Sequence, residues 1–206
     1  MEAAVNKRET ILQATLALIQ EHGLNELTTA KIARASGTAE TVIYRHFPGK
    51  QAIVTELLQR VGADFQSSAE EIVSAPVSPL EKLERLTDFY LNFMQKTHGM
   101  QRILFSEQVH LAQSNDSFKQ SARNLVFKFR QCVKDIIEEG VKSGQYKADL
   151  DIEIAVMSFL GLFFLLMHSW ALNDFEGQIT DKKTQIISHF SQTWGNQTTS
   201  KKRRSE

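Results

Sequence analysis

The sequence contains a single cysteine among its 206 residues, Cys132, so the chain cannot form an intrachain disulfide. It also lacks net charge, because 24 lysines and arginines balance 24 aspartates and glutamates. The first 50 residues carry six basic and five acidic side chains, a net charge of +1. A field that attracts nucleic acid would have to come from the arrangement of these charges and not from their total.

Long hydrophobic runs are also missing. The longest apolar run, residues 154–167, has 14 residues and includes Ser158. A membrane-spanning helix needs about 20 such residues, so we expect this segment to be buried in protein. The first residues lack the basic-then-apolar pattern of a signal peptide. Together with the single cysteine, these features favour a reducing cytoplasm.

Catalytic and metal-binding patterns are not evident either. None of the six histidines pairs with a second histidine or with Cys132 at the spacing of metal ligands. A glycine-rich phosphate loop is also missing. We therefore expect no metal site and no cofactor, and we expect that the chain is not an enzyme.

What the sequence does have is helical periodicity along most of its length, which predicts an all-α fold. Two prolines between residues 74 and 79 end one predicted helix, because proline cannot continue it. Besides the two short helices described next, the predicted helices cover residues 7–22, 49–74, 80–99, 100–112, 116–142, 151–173 and 180–194.

The most specific stretch, residues 27–50, predicts two short helices joined by a tight turn. Ala33, Gly37 and Ile43 have the spacing of a helix-turn-helix: a small residue, a turn glycine four positions later, and an apolar residue six positions after that. Gly37 is expected to adopt a positive φ. Thr38 is expected to cap the second helix with its side-chain oxygen.

This stretch resembles the N-terminal DNA-binding domain of the TetR family of bacterial transcriptional regulators. The resemblance rests on eight residues that match the family pattern: Thr28, Ile32, Ala33, Gly37, Tyr44, His46, Phe47 and Lys50. The family often has alanine, valine, serine and glycine at four places where this sequence has Ser36, Thr38, Ala39 and Thr41.

The resemblance implies a DNA-binding surface on these helices. Tyrosine, histidine and lysine side chains, and backbone N–H groups at a helix start, are expected to contact phosphates. Glu40, Thr41 and Arg45 are candidates for base contacts, and Glu40 can alternatively face solvent. Lys7 and Arg8 remain open between phosphate contacts and a solvated face. The full predicted DNA-binding set is Thr28, Thr29, Ala30, Ala39, Glu40, Thr41, Tyr44, Arg45, His46 and Lys50.

The resemblance also implies a C-terminal domain with a ligand pocket and a two-fold dimer interface made by the last two helices. The matching segments run from Asp151 to Asn173 and from Thr180 to Trp194, and their apolar excess independently favours a homodimer. Thirteen phenylalanines favour an apolar pocket lining. The predicted effector contacts are Phe89, Phe93, Phe105, Gln108, Val109, Phe127, Arg130, Met157, Phe164 and His168.

We therefore expect three parts: a helix-turn-helix domain in residues 1–52, whose connector helix reaches about residue 74, a ligand-binding and dimerisation domain in residues 53–194, and a disordered basic tail in residues 195–206. The expected function is a sequence-specific repressor that binds double-stranded DNA and is released by a small, largely apolar molecule. It would work in the bacterial cytoplasm, on the nucleoid when bound to its operator. An activator or a corepressor-dependent regulator stays open, as do a helical carrier of small molecules and a helical enzyme.

Overall fold

The computed structural model describes residues 2–104, 106 and 116–196. Within these residues the chain is helical, as predicted, and its strand-like pairing is limited to an isolated bridge between Tyr146 and Gly195. The helices are α1 Glu2–His22, α2 Thr29–Ala35, α3 Glu40–His46, α4 Lys50–Ser74, α5 Pro79–Lys96, α6 His98–Leu104, α7 Ser117–Lys142, α8 Ile152–Leu172, a 3₁₀ helix Ile179–Lys182, and α9 Lys183–Trp194.

Local sequence signals account for several helix ends. The Thr28 side chain accepts a 3.1 Å hydrogen bond from the backbone N–H of Lys31 and so begins α2. Asp151 caps α8 in the same way, through the N–H of Ile154 at 3.0 Å. Gly23 follows α1 with a φ of 79°, a conformation that glycine adopts at the least cost.

Two local expectations need correction, and a third falls partly outside the described residues. The residue that caps α3 is Ala39, which offers no side-chain hydrogen bond, and the Thr38 hydroxyl lies 3.1 Å from the Ser36 hydroxyl instead. The predicted helix over residues 100–112 is described only in its first part, as α6, because residues 105 and 107–115 lie outside the described ranges. The last predicted helix is divided, since a 3₁₀ helix precedes α9.

The chain forms two compact units, and their limits differ from the predicted division at residue 52. Unit 1 comprises Met1–Phe65 and Thr97–Val126, and unit 2 comprises Gln66–Lys96 and Phe127–Glu206. Residues 97–126 belong to unit 1 because α6 packs against α1. A Cβ atom on Gly99 of α6 would lie 2.7 Å from Cγ of Gln20, which is too close for a Cβ contact. The missing side chain of Gly99 therefore allows α6 to approach α1 closely.

Unit 1 has its own apolar core, built from every helix in the unit. Buried side chains come from α1, from the helix pair α2 and α3, from the first half of α4, and from α6 and α7. The largest contributors include Ile11, Leu12, Ile19, Leu27, Ile32, Ile43, Phe47, Ile53, Leu57, Met100, Ile103 and Phe118. This core fixes α2 and α3, which are too short to be stable alone.

Unit 2 has an interior of contacting aromatic rings. The ring of Tyr90 lies 5.2 Å from Phe129 and 4.6 Å from Phe163. Phe163 contacts Phe159 at 4.7 Å, and Phe159 contacts Phe190 of α9 at 5.2 Å. Because aromatic pairs at these distances add to the free energy of burial, the rings help to join α5, α7, α8 and α9.

Helix α8 is apolar on both its buried and its exposed sides. It is 21 residues long with a mean hydropathy of 1.9, and among the described residues it alone is long and apolar enough to cross a membrane. Only 28% of that stretch is buried within the chain. The 14-residue apolar run lies within this longer helix, and burial within the single chain covers only part of it. We call its exposed large side chains the outer face of α8: Ile154, Met157, Phe164, Leu165 and Leu172.

Candidate nucleic-acid interface

Helices α2 and α3 form the predicted helix-turn-helix. Ile32 and Ala33 of α2 and Ile43 of α3 are buried in the core of unit 1. Gly37 has a φ of 62° in the turn between the helices. The backbone N–H of Thr38 donates a 2.9 Å hydrogen bond to the carbonyl oxygen of Ala33 and so closes the turn.

Nine of the ten residues predicted to contact DNA lie on α2, α3 or the chain segments beside them, Lys50 begins α4, and none of the ten is buried. Seven are exposed: Thr28, Ala30, Ala39, Glu40, Thr41, Tyr44 and Arg45. The other three are half-buried: Thr29, His46 and Lys50. The arrangement presents hydroxyl, guanidinium, imidazole and carboxylate groups on the surface of a helix that fits a major groove.

Polar contacts on this surface connect α2 to α3. The hydroxyl of Thr29 donates to Oε1 of Glu40 at 2.5 Å, and it lies 3.3 Å from the hydroxyl of Tyr44. Glu40 is thus exposed and held by a neighbouring helix, and its role in base contacts stays a prediction. Lys50 donates a 2.9 Å hydrogen bond to the carbonyl oxygen of Leu27, which leaves two of its three donors for other partners.

Arg8 has a third role that the sequence did not suggest. Its guanidinium pairs with both carboxylate oxygens of Glu56, with Nε 2.9 Å from Oε1. Its Nη1 atom donates to the carbonyl oxygen of His46 at 2.8 Å, and its Cζ atom lies 4.2 Å from the centre of the Phe47 ring. The hydrogen bond from Arg8 holds the pKa of the Glu56 carboxyl below its usual value of 4.5.

A second arginine supports this pair. Arg60 lies one turn after Glu56 on α4 and donates to its Oε1 atom at 2.7 Å. Arg60 also pairs with Glu9 of α1 at 2.7 Å. The four side chains form a charged network between α1 and α4. No local pattern could have revealed it, because the partners are 48 or more residues apart across the two helices.

Comparison with known families decides the identity of this interface. Residues 11–57 match the family described as "Bacterial regulatory proteins, tetR family". Residues 57–191 match the C-terminal region described as "YsiA-like protein, C-terminal region". The chain belongs to the TetR family. It is therefore a DNA-binding transcriptional regulator, and α2 and α3 are its helix-turn-helix.

The TetR-family chain has relatives among characterised regulators. It is 26% identical over 164 residues to the "Fatty acid metabolism regulator protein" of Bacillus subtilis (strain 168), covering 80% of this chain and 83% of that one. It is 30% identical over 149 residues to the "HTH-type transcriptional repressor KstR2" of Rhodococcus jostii (strain RHA1), covering 72% of each.

Solved structures agree on the fold. The structure of the transcriptional regulator FadR from Bacillus subtilis in complex with stearoyl-CoA matches with a TM-score of 0.71 and 23% identity, over 87% of this chain and 95% of that one. The family, the fold class and the prediction of a ligand-responsive DNA-binding repressor are confirmed at the level of the family.

The predicted effector contacts of this TetR-family chain are dispersed. Phe105, Gln108 and Val109 lie outside the described residues. Phe89 and Phe93 are half-buried neighbours, with ring centres 6.0 Å apart. Arg130 forms an ion pair with Glu153. The remaining four are exposed in the single chain: Phe127, Met157, Phe164 and His168.

The two sides of α8 differ in burial, and two of the predicted effector contacts lie on the exposed side. Phe159, Phe163 and Met167 are buried and form a stripe at four-residue spacing, whereas Met157 and Phe164 belong to the outer face. Both stripes have helical spacing and apolar side chains, so periodicity could not distinguish them. Tyr90 was also missed, although it contacts Phe129 and Phe163 directly.

A cavity of about 410 Å³ lies within unit 1, against the first turns of α4 and the side chains of Leu24 and Phe118. None of the predicted effector residues lines it. No group of three histidine, cysteine, aspartate or glutamate side chains within the described ranges is arranged to hold a metal ion.

Proposed function

We propose that this TetR-family protein is a homodimeric repressor that leaves its operator when a molecule with a long apolar chain binds to unit 2. The observation that carries the proposal is the surface of the helix-turn-helix, which together with Lys50 at the start of α4 presents all ten predicted DNA-binding residues without burying any of them. Such a regulator works where the chromosome is, in the bacterial cytoplasm and on the nucleoid.

At the operator, phosphate contacts would set the register and base contacts would set the sequence preference. Tyr44, His46 and Lys50 are the proposed phosphate contacts. The first turn of α3, which carries Glu40 and Thr41, is the proposed base-reading surface, with Arg45 one turn later. Unit 1 is thus the proposed DNA-binding part, and it extends beyond the predicted residue 52.

The outer face of α8 supports the homodimer. Its five large apolar side chains are 51–73% exposed in the single chain, and contiguous apolar surface of this kind marks an interaction site. We assign α8 and α9 to the proposed interface, in agreement with the segments predicted from the sequence. A two-fold dimer would also place two copies of α3 about 34–36 Å apart, one helical turn of DNA.

Helix α4 is the proposed switch element, because it begins in unit 1 and ends in unit 2. An effector that binds better to one arrangement of the dimer shifts the population toward that arrangement. If that arrangement separates the two α3 helices beyond one turn of DNA, operator affinity falls. A coupling free energy of about 1–3 kcal/mol is sufficient for such regulation.

The interior of unit 2 supports an effector that is mostly apolar with a few polar atoms. Its aromatic side chains provide the apolar surface. Two buried polar atoms, Oε1 of Gln66 and Oγ1 of Thr87, have no hydrogen-bond partner within the described residues. Buried polar atoms normally have a partner, which here a ligand would supply. Since FadR was solved with stearoyl-CoA, long-chain acyl-CoA is the first class to test.

The oligomeric state is tested by light scattering of the purified protein after gel filtration. We expect a dimer that becomes a monomer in Leu165→Lys and in Met157→Lys. Val126→Lys is the matched control, because Val126 is an equally exposed apolar residue on α7. A monomeric parent protein would contradict the dimer, and so would a parent recovered only in detergent, which would indicate insertion of α8 in a membrane.

The regulatory function is tested with DNA that the protein selects from a random pool. Fluorescence anisotropy then follows release of the selected duplex by stearoyl-CoA, with free CoA, acetyl-CoA and stearate as controls below their micelle concentrations. Release by stearoyl-CoA alone is expected. Release by none of these molecules would contradict the effector class, and tighter binding would indicate a corepressor. Failure to select any sequence would contradict the regulator itself and favour a carrier or an enzyme.

A further inference from the structure

Helix α3 has little local support for its position. It has seven residues, and its N-cap residue Ala39 makes no side-chain hydrogen bond. Helices of this length are not stable in isolation, so tertiary contacts must set the position of α3. Ile43 and Phe47 provide apolar anchors and are almost fully buried. Neither side chain fixes the rotation of the helix end as a directional hydrogen bond does.

Arg8 supplies a directional contact at the C-terminal end of α3. Its Nη1 atom donates to the carbonyl oxygen of His46, the last residue of the helix. The last carbonyls of a helix have no intrahelical partner, and a cation beside them complements the helix dipole. The same guanidinium lies over the ring of Phe47, the C-cap residue of α3. One side chain of α1 thus contacts two consecutive residues at this helix end.

Glu56 fixes Arg8 in that position. The carboxylate binds the guanidinium through two parallel hydrogen bonds, the geometry that best restricts both orientation and distance. Arg60 binds the same carboxylate from the next turn of α4. The Arg8 side chain therefore has a determined direction, and its Nη1 atom is aimed at the end of α3.

We propose that Arg8, held by Glu56, is a positioning residue that sets the orientation of α3 for operator recognition. Neither residue needs to contact DNA for this role. The proposal rests on the operator binding proposed above. It places a determinant of α3 orientation on α1 and α4, outside the helix-turn-helix itself.

Glu56→Gln gives the sharpest test, because a purely electrostatic role and a positioning role predict opposite changes in operator affinity. If these side chains act only through their charge, then removing a carboxylate makes the domain more positive and strengthens binding to any DNA. If Glu56 positions Arg8, the variant loses operator affinity, by about tenfold or more, since a hydrogen bond between charged groups is weakened. Affinity for an unrelated duplex then stays the same or rises.

Arg8→Gln and Lys7→Gln form a matched pair. Each removes one positive charge from neighbouring positions of α1, but Lys7 is exposed and only Arg8 contacts α3. The measured quantity is the ratio of operator affinity to non-specific affinity. The positioning role predicts that this ratio falls strongly in Arg8→Gln and changes little in Lys7→Gln. Arg8→Lys should recover only part of the loss, because lysine cannot make the two-point contact with Glu56.

The experiment measures dissociation constants of all four variants for the selected operator and for an unrelated duplex, together with thermal unfolding midpoints. Operator binding by Glu56→Gln that equals or exceeds that of the parent would overturn the proposal. If Glu56→Gln does not fold, the test compares Arg8→Lys with Lys7→Gln. Equal ratios of operator affinity to non-specific affinity in these two variants would overturn the proposal. If the parent selects no operator, the regulatory function and the positioning role both fail. A parent that selects an operator while the variants keep its specificity refutes only the positioning role.

Discussion

The hydroxyl of Thr29, the first residue of α2, donates a 2.5 Å hydrogen bond to Oε1 of Glu40, the first residue of α3. An acidic side chain on this surface repels phosphate, so its presence needs a compensating contact. A carboxylate accepts hydrogen bonds at both oxygens, and Thr29 occupies one position on one of them. The other oxygen is the proposed acceptor for a base amino group in the major groove.

Glu40→Gln should therefore change which base is preferred at one position of each half-site. A glutamate accepts from the N4 amino group of cytosine, whereas a glutamine forms two hydrogen bonds with adenine. We expect selection from a random DNA pool to shift from cytosine to adenine at that position. Thr29→Val is the companion variant, which should weaken the cytosine preference without creating a new one. An unchanged consensus in Glu40→Gln would exclude a base-reading role.

Lys50→Ala should weaken binding to all DNA sequences by a similar factor. Lys50 is proposed to contact phosphate, and each phosphate contact contributes about one unit to the slope of log affinity against log salt concentration. We expect this slope to become shallower by about one unit per protomer, while the consensus stays the same. Lys142→Ala, an exposed lysine at the end of α7, is the charge-matched control and should leave the slope unchanged.

Gly140→Ala should destabilise the fold, because the new Cβ atom would lie 2.1 Å from Cδ2 of Tyr146. The Tyr146 ring is buried and contacts Trp194, so it cannot move away freely. We expect a loss of about 1–3 kcal/mol in the free energy of unfolding, measured by urea titration. Gly62→Ala is the control in α4, since its Cβ atom would meet Leu125 at an ordinary 3.5 Å. A gain of up to about 1 kcal/mol is expected there.

The Arg8–Glu56 pair should make stability depend on acid pH. The hydrogen bond from Arg8 makes the pKa of Glu56 lower in the folded chain than its ordinary value of 4.5. The folded state therefore binds fewer protons, and the pair contributes stability above pH 4.5 that is lost as pH falls through the folded pKa. We expect Glu56→Gln to reduce the fall of the thermal unfolding midpoint over this acid range.

Glu26→Gln provides the comparison for that measurement. The hydrogen bond from Lys31 also lowers the pKa of Glu26, but this pair is exposed and screened by water. Its removal should alter the acid dependence less than Glu56→Gln does. Equal effects of the two variants would mean that the partial burial of Glu56 has no consequence for stability.

The parts of the fold that the sequence predicted depend on neighbouring residues. Helical spacing and the Gly37 turn are local signals, and they correctly located the helix-turn-helix. The arrangement of unit 2 was harder to predict because α8 is apolar all round. Its sequence therefore could not indicate that Phe163 faces inward and Phe164 outward.

Contacts between distant segments could not be predicted from the sequence for a different reason. Arg8 and Glu56 are 48 positions apart, and each by itself is an ordinary charged residue of an amphipathic helix. The division into units likewise depends on where α6 packs, and its Gly99 lies close to Gln20 and Leu16 of α1. Periodicity describes the faces of one helix but does not say which other helix will cover them.

The two-segment composition of unit 1 restricts how its DNA specificity can be exchanged by recombination. A contiguous block that ends at Phe65 omits Thr97–Val126, which supplies Met100, Ile103 and Phe118 to the same core. A hybrid with one junction would combine a foreign helix-turn-helix with these host residues and create mismatched packing. Exchange with a divergent relative therefore requires both segments together, or compensating changes in α6 and the first half of α7.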